Sequence, residues 1–298
     1  MKWIVGSFLA IAAAMLCFSF CAGRNNKGRA INCIGSTSIQ PLAEMLSQEF
    51  DRQHPESIVE VQGGGSTAGL QAVAENIAEI GMCSRSLKDD EAGRFRGIPI
   101  ALDGLAVVVH PDNPVSNLTK AQIRDIFEGR ITNWKQVGGA DATIWLITRE
   151  EGSGTREAFV KLVMEAKDKP AAKAGQPASA PADKAGAAQA PTQHPNHRIS
   201  RKAMTQESNG AVKELVKHNR GAIGYMSLGL VKDELKILAV DGVYPSLDAV
   251  TAKKYPLVRP FLYVVKSTPS QGAQAFIDFT LSAEGQHMLV KEGLISVR

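Results

Sequence analysis

The chain has 298 residues, of which 44% are hydrophobic and 21% are charged, and its formal net charge is +4 at pH 7. This length is too great for one small core and predicts two domains of moderate size. The charge is too weak to indicate a nucleic-acid-binding protein, and no basic run is interleaved with aromatic residues.

Residues 1–21 are predicted to be a signal peptide for export. Met1–Trp3 gives a short positive start, and Ile4–Phe20 is an apolar run too short to span a bilayer comfortably. A membrane anchor helix is the alternative. Cys21 follows the apolar run and precedes a polar tether, residues 22–29, which favours a lipoprotein with its lipid on Cys21. Against this, Phe18–Phe20 is a poor form of the small-residue site that such processing prefers.

Beyond the tether, short apolar runs alternate with helical patterns, which is typical of α/β domains with a mostly parallel sheet. The predicted strands are Ala30–Ile34, Ile58–Val61, Ile80–Cys83, Ile98–Leu102, Leu105–His110, Ile144–Thr148 and Leu257–Val265. The predicted helices are Leu42–Phe50, Leu70–Ile77, Lys120–Phe127, Arg156–Met164, Ala211–His218 and Gln274–Leu281. Thr119 and Gln122 predict a capping box at the start of the third of these helices.

Cys33 and Cys83 each lie at the end of a predicted strand. We expect two buried free thiols; a disulfide between neighbouring strands is the alternative in an exported protein. The sequence has neither a CxxC motif nor zinc-ligand spacing, so we expect no metal and no cofactor.

A low-complexity insertion at about residues 166–198 breaks the pattern. From Pro170 to Pro195, ten of 26 residues are Ala and five are Pro. Such a segment cannot bury enough apolar surface to offset the entropy of ordering, so we expect a flexible surface insertion. His194 and His197 near its end predict two solvated side chains, with weak metal binding as the alternative.

Three turns rich in Gly and hydroxyl residues each lie between a predicted strand and a helix. They are Ile34–Ser38, Gly63–Gly69 and Arg149–Arg156. A helix N-terminus presents unpaired N–H groups and a partial positive charge, Gly lets an anion approach, and Ser or Thr adds donors. Any one turn could be only a helix cap. Three of them at the carboxyl ends of strands, where open α/β sheets bind ligands, predict a cage for a tetrahedral oxyanion.

Nucleotide and hydrolase chemistry fit these turns badly. None contains GxxxxGK[ST] or GxGxxG. Gly152–Gly154 superficially resembles a nucleophile elbow, but Thr155 stands where GxSxG needs the second Gly. No histidine is placed as a base, so we do not expect an enzyme.

The chain resembles the PstS family, the solute-binding subunits of bacterial phosphate ABC transporters. The resemblance covers Ile31 to Arg298 apart from the insertion. It is carried by Gly35–Ser38, Gln62–Ser66, Gly81–Arg85, Ala101–Gly104, Ile131–Trp134, Arg149–Arg156, Ser208–Val212, Gly221–Tyr225 and Tyr255–Pro260.

The resemblance implies a set of phosphate ligands. The family's RxxGSGT motif falls on Arg149, Ser153, Gly154 and Thr155, and its second-loop serine falls on Ser66. The first-loop hydroxyl could be Ser36, Thr37 or Ser38. Where some members have an Asp after the third strand, this chain has Ser84–Arg85, and Asp103 is our candidate for the acidic ligand.

A buried carboxylate would select phosphate over sulfate. Phosphate near neutral pH still carries a proton to donate, whereas sulfate has none and meets uncompensated repulsion. Arg149 or Arg85 would supply the compensating charge. The alternative reading of Asp103 is a turn cap before Gly104, and that of Arg85 is a surface ion pair.

The resemblance also implies a two-lobed type II periplasmic binding protein fold with a ligand cleft between the lobes. The first lobe would be residues 30–109 plus 258–298 and the second 110–257, with crossovers near His110–Pro111 and Tyr255–Arg259. We expect a monomer in the periplasm or on the outer face of the cytoplasmic membrane, with transporter permease subunits as partners. A binding protein for sulfate, molybdate or tungstate is the nearest alternative; an exported phosphatase or an adhesive surface protein is more distant.

Overall fold

The computed structural model describes residues 30–165, 198–266 and 268–298. The predicted signal peptide, the lipid site at Cys21 and the tether lie outside the described residues, as do His194, His197 and nearly all of the insertion.

Strands and helices alternate along the described chain. The strands are β1 Ile31–Gly35, β2 Val59–Gly63, β3 Ile80–Cys83, β4 Arg96–Val109, β5 Asn117–Leu118, β6 Trp145–Arg149, β7 Met204–Gln206, β8 Ala222–Ser227, β9 Lys236–Ile237, β10 Ala239–Val240 and β11 Val258–Val265. The α-helices are α1 Gln40–Gln53, α2 Ser66–Ala74, α3 Asp89–Ala92, α4 Lys120–Glu128, α5 Gly154–Phe159, α6 Asn209–His218, α7 Leu247–Thr251, α8 Gln271–Leu281 and α9 Ala283–Lys291. A π-helical turn, Val160–Met164, continues α5.

The predicted capping box is confirmed at the start of α4. Thr119 Oγ1 accepts from Gln122 N at 3.1 Å, and Gln122 Oε1 accepts from Thr119 N at 2.9 Å. These two bonds satisfy backbone donors that the first helical turn would leave unpaired.

The main sheet has the strand order β2-β1-β3-β11-β4-β8-β6-β7, with β9 pairing to β4. β1 is parallel to β2 and β3, whereas β11 is antiparallel to both β3 and β4. On the other side, β4 is antiparallel to β8, and β6 is parallel to β7 and β8. The three predicted anion loops follow β1, β2 and β6, so both parts of the sheet contribute loops.

The long strand β4 corrects one sequence prediction. Ile98–Leu102 and Leu105–His110 are predicted as separate strands with Asp103–Gly104 as a break, but the backbone is continuous from Arg96 to Val109. Asp103 and Gly104 stay in the strand because they pair with Arg259 and Val258 of β11.

The same strand connects two lobes. β4 pairs with β11 as far as Gly104 and with β8 from Leu105 onward, a change of partner that lies before His110–Pro111. Ala101 belongs to a core formed with β1, β3, β11, α1 and α8, whereas Leu105 belongs to a core formed with β6, β8, α4 and α5. We call these the first and the second lobe. The chain therefore has the expected two-lobed α/β architecture.

The C-terminal helices complete the first lobe. Phe276 of α8 lies against Phe50 of α1, with ring centroids 5.3 Å apart. Aromatic pairs at this separation add to the free energy of burying their area. The last two helices thus return to the lobe in which the described chain begins.

Cys33 and Cys83 are both free and buried. Their strands β1 and β3 are neighbours, but Cys33 lies opposite Ile80, so the two thiols are offset along the sheet. Burial raises the pKa of both thiols above the ordinary value. Together these features indicate protonated, unreactive side chains.

No helix in the described ranges has the length and apolar character needed to cross a membrane. Within the same ranges, no three His, Cys, Asp or Glu side chains are grouped so that they could hold a metal ion.

Candidate anion-binding site

The three Gly- and hydroxyl-rich turns meet between the two lobes. In the first lobe, Gly65 N donates to Gly35 O at 2.9 Å, which joins the turn after β2 to the end of β1. Across the cleft, Thr67 N donates to Gly152 O at 3.1 Å, which joins the start of α2 to the turn after β6. The convergence that the sequence predicts is therefore present.

Four hydroxyl groups form the centre of the site. We call Ser38, Ser66, Ser84 and Thr155 the hydroxyl cluster; none of them is more than 1% exposed. Ser38 Oγ lies 2.9 Å from Thr155 Oγ1, which joins the lobes, and Ser66 Oγ lies 3.4 Å from Ser84 Oγ within the first lobe. Ser66 Oγ also accepts from Ser84 N at 3.1 Å.

Gly154 allows the second lobe to reach the cluster. A Cβ on this residue would lie 2.1 Å from Ser66 Oγ and 2.6 Å from Ser84 Oγ, far inside normal contact. Only a residue without a side chain lets the start of α5 approach these two serines so closely. The observed arrangement is thus a closed cleft.

Ser36 and Ser153 are near the cluster but are engaged by the backbone of their own turns. Ser36 Oγ accepts from Ser38 N at 3.2 Å, and Ser153 Oγ accepts from Arg156 N at 3.3 Å as the N-cap of α5. Both are buried, and both shape the turns that carry the neighbouring donors.

Arg149 is almost completely buried, with 1% of its surface exposed, at the end of β6. Its Nε and Nη2 donate to Glu150 at 2.8 Å, and Nη2 also reaches Thr37 Oγ1 across the cleft at 3.1 Å. Its Nη1 is buried without a hydrogen-bond partner. Because a buried charged donor is costly when unpaired, this nitrogen indicates a place for an anionic acceptor.

Asp103 and Arg259 form an ion pair at the base of the cluster, and neither is more than 2% exposed. Arg259 Nε donates to Asp103 Oδ2 at 2.9 Å, and Ser227 Oγ donates to Oδ1 at 2.8 Å. Burial raises the pKa of the Asp103 carboxyl, although Arg259 and Ser227 act to lower it. Burial likewise lowers the pKa of Arg259, but a guanidinium next to a carboxylate keeps its charge.

Arg259 extends from Asp103 into the hydroxyl cluster. Its Nη1 donates to Thr155 Oγ1 at 2.8 Å, and its Nη2 donates to Ser38 Oγ at 3.3 Å. Asn209 Nδ2 donates to Ser38 Oγ as well, at 2.8 Å. Because Arg259 and the Asn209 amide nitrogen can only donate, Ser38 and Thr155 accept these bonds. One of their two hydroxyl protons lies in the bond between them, and the other is available for an acceptor in the cleft.

Arg85 does not reach the hydroxyl cluster. Its Nη1 and Nη2 donate to Glu91 at 2.6 and 2.9 Å, and its Nε lies 3.0 Å from Glu157 Oε2. The structure thus engages this predicted ligand with two carboxylates beside the site.

Arg259 and Asn209 belong to the site, but the reasoning from sequence does not select them. Both lie in segments that carry the family resemblance, Tyr255–Pro260 and Ser208–Val212. An arginine inside the apolar strand Leu257–Val265 is the signal that could have identified Arg259, since a buried charge needs a buried partner. Asn209 gives no comparable signal at the start of a helix.

The arrangement can bind a small oxyanion and offers little for catalysis. Hydroxyl groups of both lobes and the guanidinium of Arg259 meet at the hydroxyl cluster, and the carboxylate of Asp103 pairs with Arg259 beside it. Across the described residues, no histidine is placed against the hydroxyl cluster: His54 and His218 face Glu56 and Glu214, His110 faces Asp112, and His287 is exposed on α9. Nothing observed there would activate a serine as a nucleophile.

Comparison with known proteins places most of the chain in one superfamily. The model of the PBP superfamily domain matches residues 23–284. The phosphate-binding protein PstS of Bacillus subtilis (strain 168) is 28% identical over 274 residues, covering 91% of this chain and 81% of the relative.

Solved structures give the same result. A Clostridium perfringens protein, assigned as a phosphate ABC transporter substrate-binding protein and solved with bound phosphate, is 37% identical with a TM-score of 0.78. The match covers 91% of this chain and 100% of that one. An ABC-type phosphate transport receptor from Vibrio cholerae is 35% identical with a TM-score of 0.68, covering 89% of this chain and 99% of that one.

Proposed function

This chain belongs to the PstS family of phosphate-binding proteins, and we propose that it captures inorganic phosphate outside the cytoplasm and delivers it to a phosphate ABC transporter. The observation that carries the proposal is the buried, unpartnered Nη1 of Arg149, in a cleft where hydroxyl groups of both lobes and the guanidinium of Arg259 converge. A binding site of this kind satisfies its own donors only when an anion is present.

The phosphate ligands fall into three groups in this proposal. Hydroxyl donors come from Ser38, Ser66, Ser84 and Thr155, with Gly154 supplying a backbone N–H at the start of α5. Positive charge comes from Arg149 and Arg259. Thr37, Ser36 and Ser153 hold the loops that present these donors, and Arg85 acts outside the pocket.

Asp103 would accept the proton that phosphate retains near neutral pH. Its oxygens already accept from Ser227 Oγ, Leu228 N and Arg259 Nε, so one of its about four lone-pair sites is left for the proton of phosphate. Sulfate and the other fully deprotonated oxyanions cannot donate to it. The carboxylate therefore favours phosphate over sulfate, molybdate or tungstate.

The cleft closes because phosphate bridges the lobes. Ser66 and Ser84 belong to the first lobe, whereas Arg149, Gly154 and Thr155 belong to the second. An anion makes the full set of contacts only when the lobes are shut, so binding shifts the equilibrium toward the closed state. We place the first lobe boundary within β4, near Gly104, and the second near Tyr255–Arg259.

We further propose that the chain is exported, anchored by lipid on Cys21, active as a monomer, and not an enzyme. Permease subunits of the transporter would be its protein partners. The lack of a described base beside the cluster supports a binding role, and a chromogenic phosphate ester tests it: turnover by the purified protein would contradict the proposal.

Competition calorimetry is the decisive experiment for the ligand. The protein is stripped of phosphate by mild unfolding and refolding, then titrated with phosphate in the absence and presence of excess sulfate, molybdate or tungstate. We expect phosphate binding that none of the three competitors displaces. Tighter binding of any competitor would reassign the substrate, and no binding of any anion would overturn the proposed function.

A further inference from the structure

Glu157, near the end of α5 in the second lobe, contacts three residues of the first lobe at the edge of the cleft. Its Oε2 lies 3.0 Å from Arg85 Nε, an ion pair without hydrogen-bond geometry, and 2.7 Å from Lys88 Nζ. Its Oε1 accepts from Thr67 Oγ1 at 3.3 Å. One carboxylate thus joins two cations and a hydroxyl from the opposite side.

Arg85 is held in position before Glu157 arrives. Glu91, also in the first lobe, binds Nη1 and Nη2 in a two-point contact at 2.6 and 2.9 Å. The side chain is only 5% exposed, and its Nε is the guanidinium nitrogen that Glu91 leaves free. An ordinary surface ion pair is weak partly because two mobile side chains must be ordered, and here one of them is already fixed.

Glu157 lies in the same short helix as Gly154 and Thr155 of the anion site, so we expect these residues to move together. Its backbone N donates to Ser153 O at 3.0 Å, and Ser153 immediately precedes Gly154 and Thr155. When the start of α5 reaches the hydroxyl cluster, Glu157 is carried to Arg85 by the same movement. Opening the cleft would therefore separate Glu157 from Arg85, whereas Arg85 and Glu91 lie in the same lobe and would stay paired.

We propose that Glu157 acts as a latch on the closed cleft and sets how long bound phosphate is retained. This inference rests on the proposed phosphate-binding function and deepens it. Glu157 contacts none of the proposed phosphate ligands, so it is a positioning residue that acts on the open–closed equilibrium. A contact present only in the closed state slows release and leaves capture nearly unchanged.

The test compares release rates of Glu157→Gln and Glu165→Gln. Glu165 lines the same cleft cavity as Arg85 and Glu157, and its side chain makes no ion pair within the described chain. Glu165→Gln therefore removes one negative charge from this cavity without removing the contact between Glu157 and Arg85. Radiolabelled phosphate is loaded onto each protein and chased with excess unlabelled phosphate. We expect E157Q to release phosphate about three- to tenfold faster than wild type and E165Q to release it at the wild-type rate.

Association rates and salt dependence separate a latch from a general structural role. We expect the association rate of E157Q to stay within about twofold of wild type, and the unliganded protein to unfold at an unchanged temperature. Raising the salt concentration should bring the wild-type release rate toward that of E157Q, because part of the contact is solvent-accessible. Lys88→Gln should give a smaller increase and should add little when combined with E157Q.

The outcomes distinguish the two proposals. If wild-type protein binds phosphate and E157Q releases it at the same rate as E165Q, the latch is wrong while the proposed function stands. If E157Q loses phosphate faster only because its unliganded form unfolds more easily, the latch is equally wrong. Failure of the wild-type protein to bind phosphate at all would instead overturn the proposed function.

Discussion

Asp103 and Arg259 occupy directly opposed positions on the antiparallel strands β4 and β11, and their side chains meet at 2.9 Å with almost no exposure to solvent. The pair lies where the two lobes join and directly beneath the hydroxyl cluster. We therefore expect changes to this pair to affect both the free energy of unfolding and anion binding.

Replacing Arg259 by Gln should destabilise the protein by about 3–5 kcal/mol, because Asp103 is left as a buried charge without its cation. Denaturant unfolding of the phosphate-free protein measures this loss. Adding Asp103→Asn to the same chain removes the uncompensated charge and should recover part of the stability. If the double variant is no more stable than Arg259→Gln, charge burial is not the cause.

Asp103→Asn alone should narrow the preference for phosphate over sulfate, because the amide NH₂ can donate to sulfate and no longer repels it. Calorimetric titration with each anion gives the ratio of dissociation constants. Asp112→Asn is a suitable control, since Asp112 is exposed and lies outside the site. An unchanged ratio in Asp103→Asn would show that the carboxylate does not select the ligand.

Arg149→Ala should weaken phosphate binding by about 2–5 kcal/mol, because it removes the buried nitrogen that has no partner in the protein. Arg130→Ala serves as the control, since Arg130 is exposed and pairs with Asp125. Calorimetry on both variants measures the difference. A loss of less than about twofold in affinity for Arg149→Ala would place this arginine outside the pocket.

Gly154→Ala should block closure, because the added methyl group collides with Ser66 and Ser84 only when the lobes meet. We expect phosphate affinity to fall by at least about tenfold, while the phosphate-free protein unfolds close to the wild-type temperature. Gly93→Ala is the matched control, since a Cβ at that position has no neighbour within 4 Å. Normal affinity in Gly154→Ala would mean that the site binds phosphate without this contact.

Cys33 and Cys83 should resist alkylation in the folded protein at pH 8, because both are buried and burial raises the pKa of both thiols. Peptide mass spectrometry after iodoacetamide treatment locates any modification. Unfolding in guanidinium should make both cysteines react. Rapid labelling of either one before unfolding would show that its strand opens readily.

Much of the site follows from the sequence because the chemistry is local to each turn. Gly and hydroxyl residues after β1, β2 and β6 identify the loops that supply Ser38, Ser66 and Thr155. The parallel strands β1 and β2 bring the first two loops to one edge, and β6, which runs the opposite way in the second lobe, brings the third loop to face them. The capping box at Thr119 is local in the same sense.

The rest depends on contacts between distant segments. Asp103–Gly104 has the composition of a turn, but pairing with Arg259 and Val258 of β11 keeps it inside a strand, and Arg259 is 156 residues away from Asp103 in sequence. Arg85 has the charge and the position after β3 that are expected of a phosphate ligand, but its contacts with Glu91 and Glu157 hold it outside the hydroxyl cluster. Neither partner can be chosen from the chain without knowing which strands and helices are neighbours.

The position of Asp103 at the junction of the lobes has a consequence for the order of events in capture. If the lobes rotate about this junction, the turn that carries Gly154 moves far, whereas Asp103 and Arg259 move very little. The guanidinium of Arg259 and the carboxylate of Asp103 would therefore already be in place in an open molecule. Phosphate would bind to this pair and to the first-lobe serines first, and Arg149, Gly154 and Thr155 of the second lobe would complete the contacts afterwards.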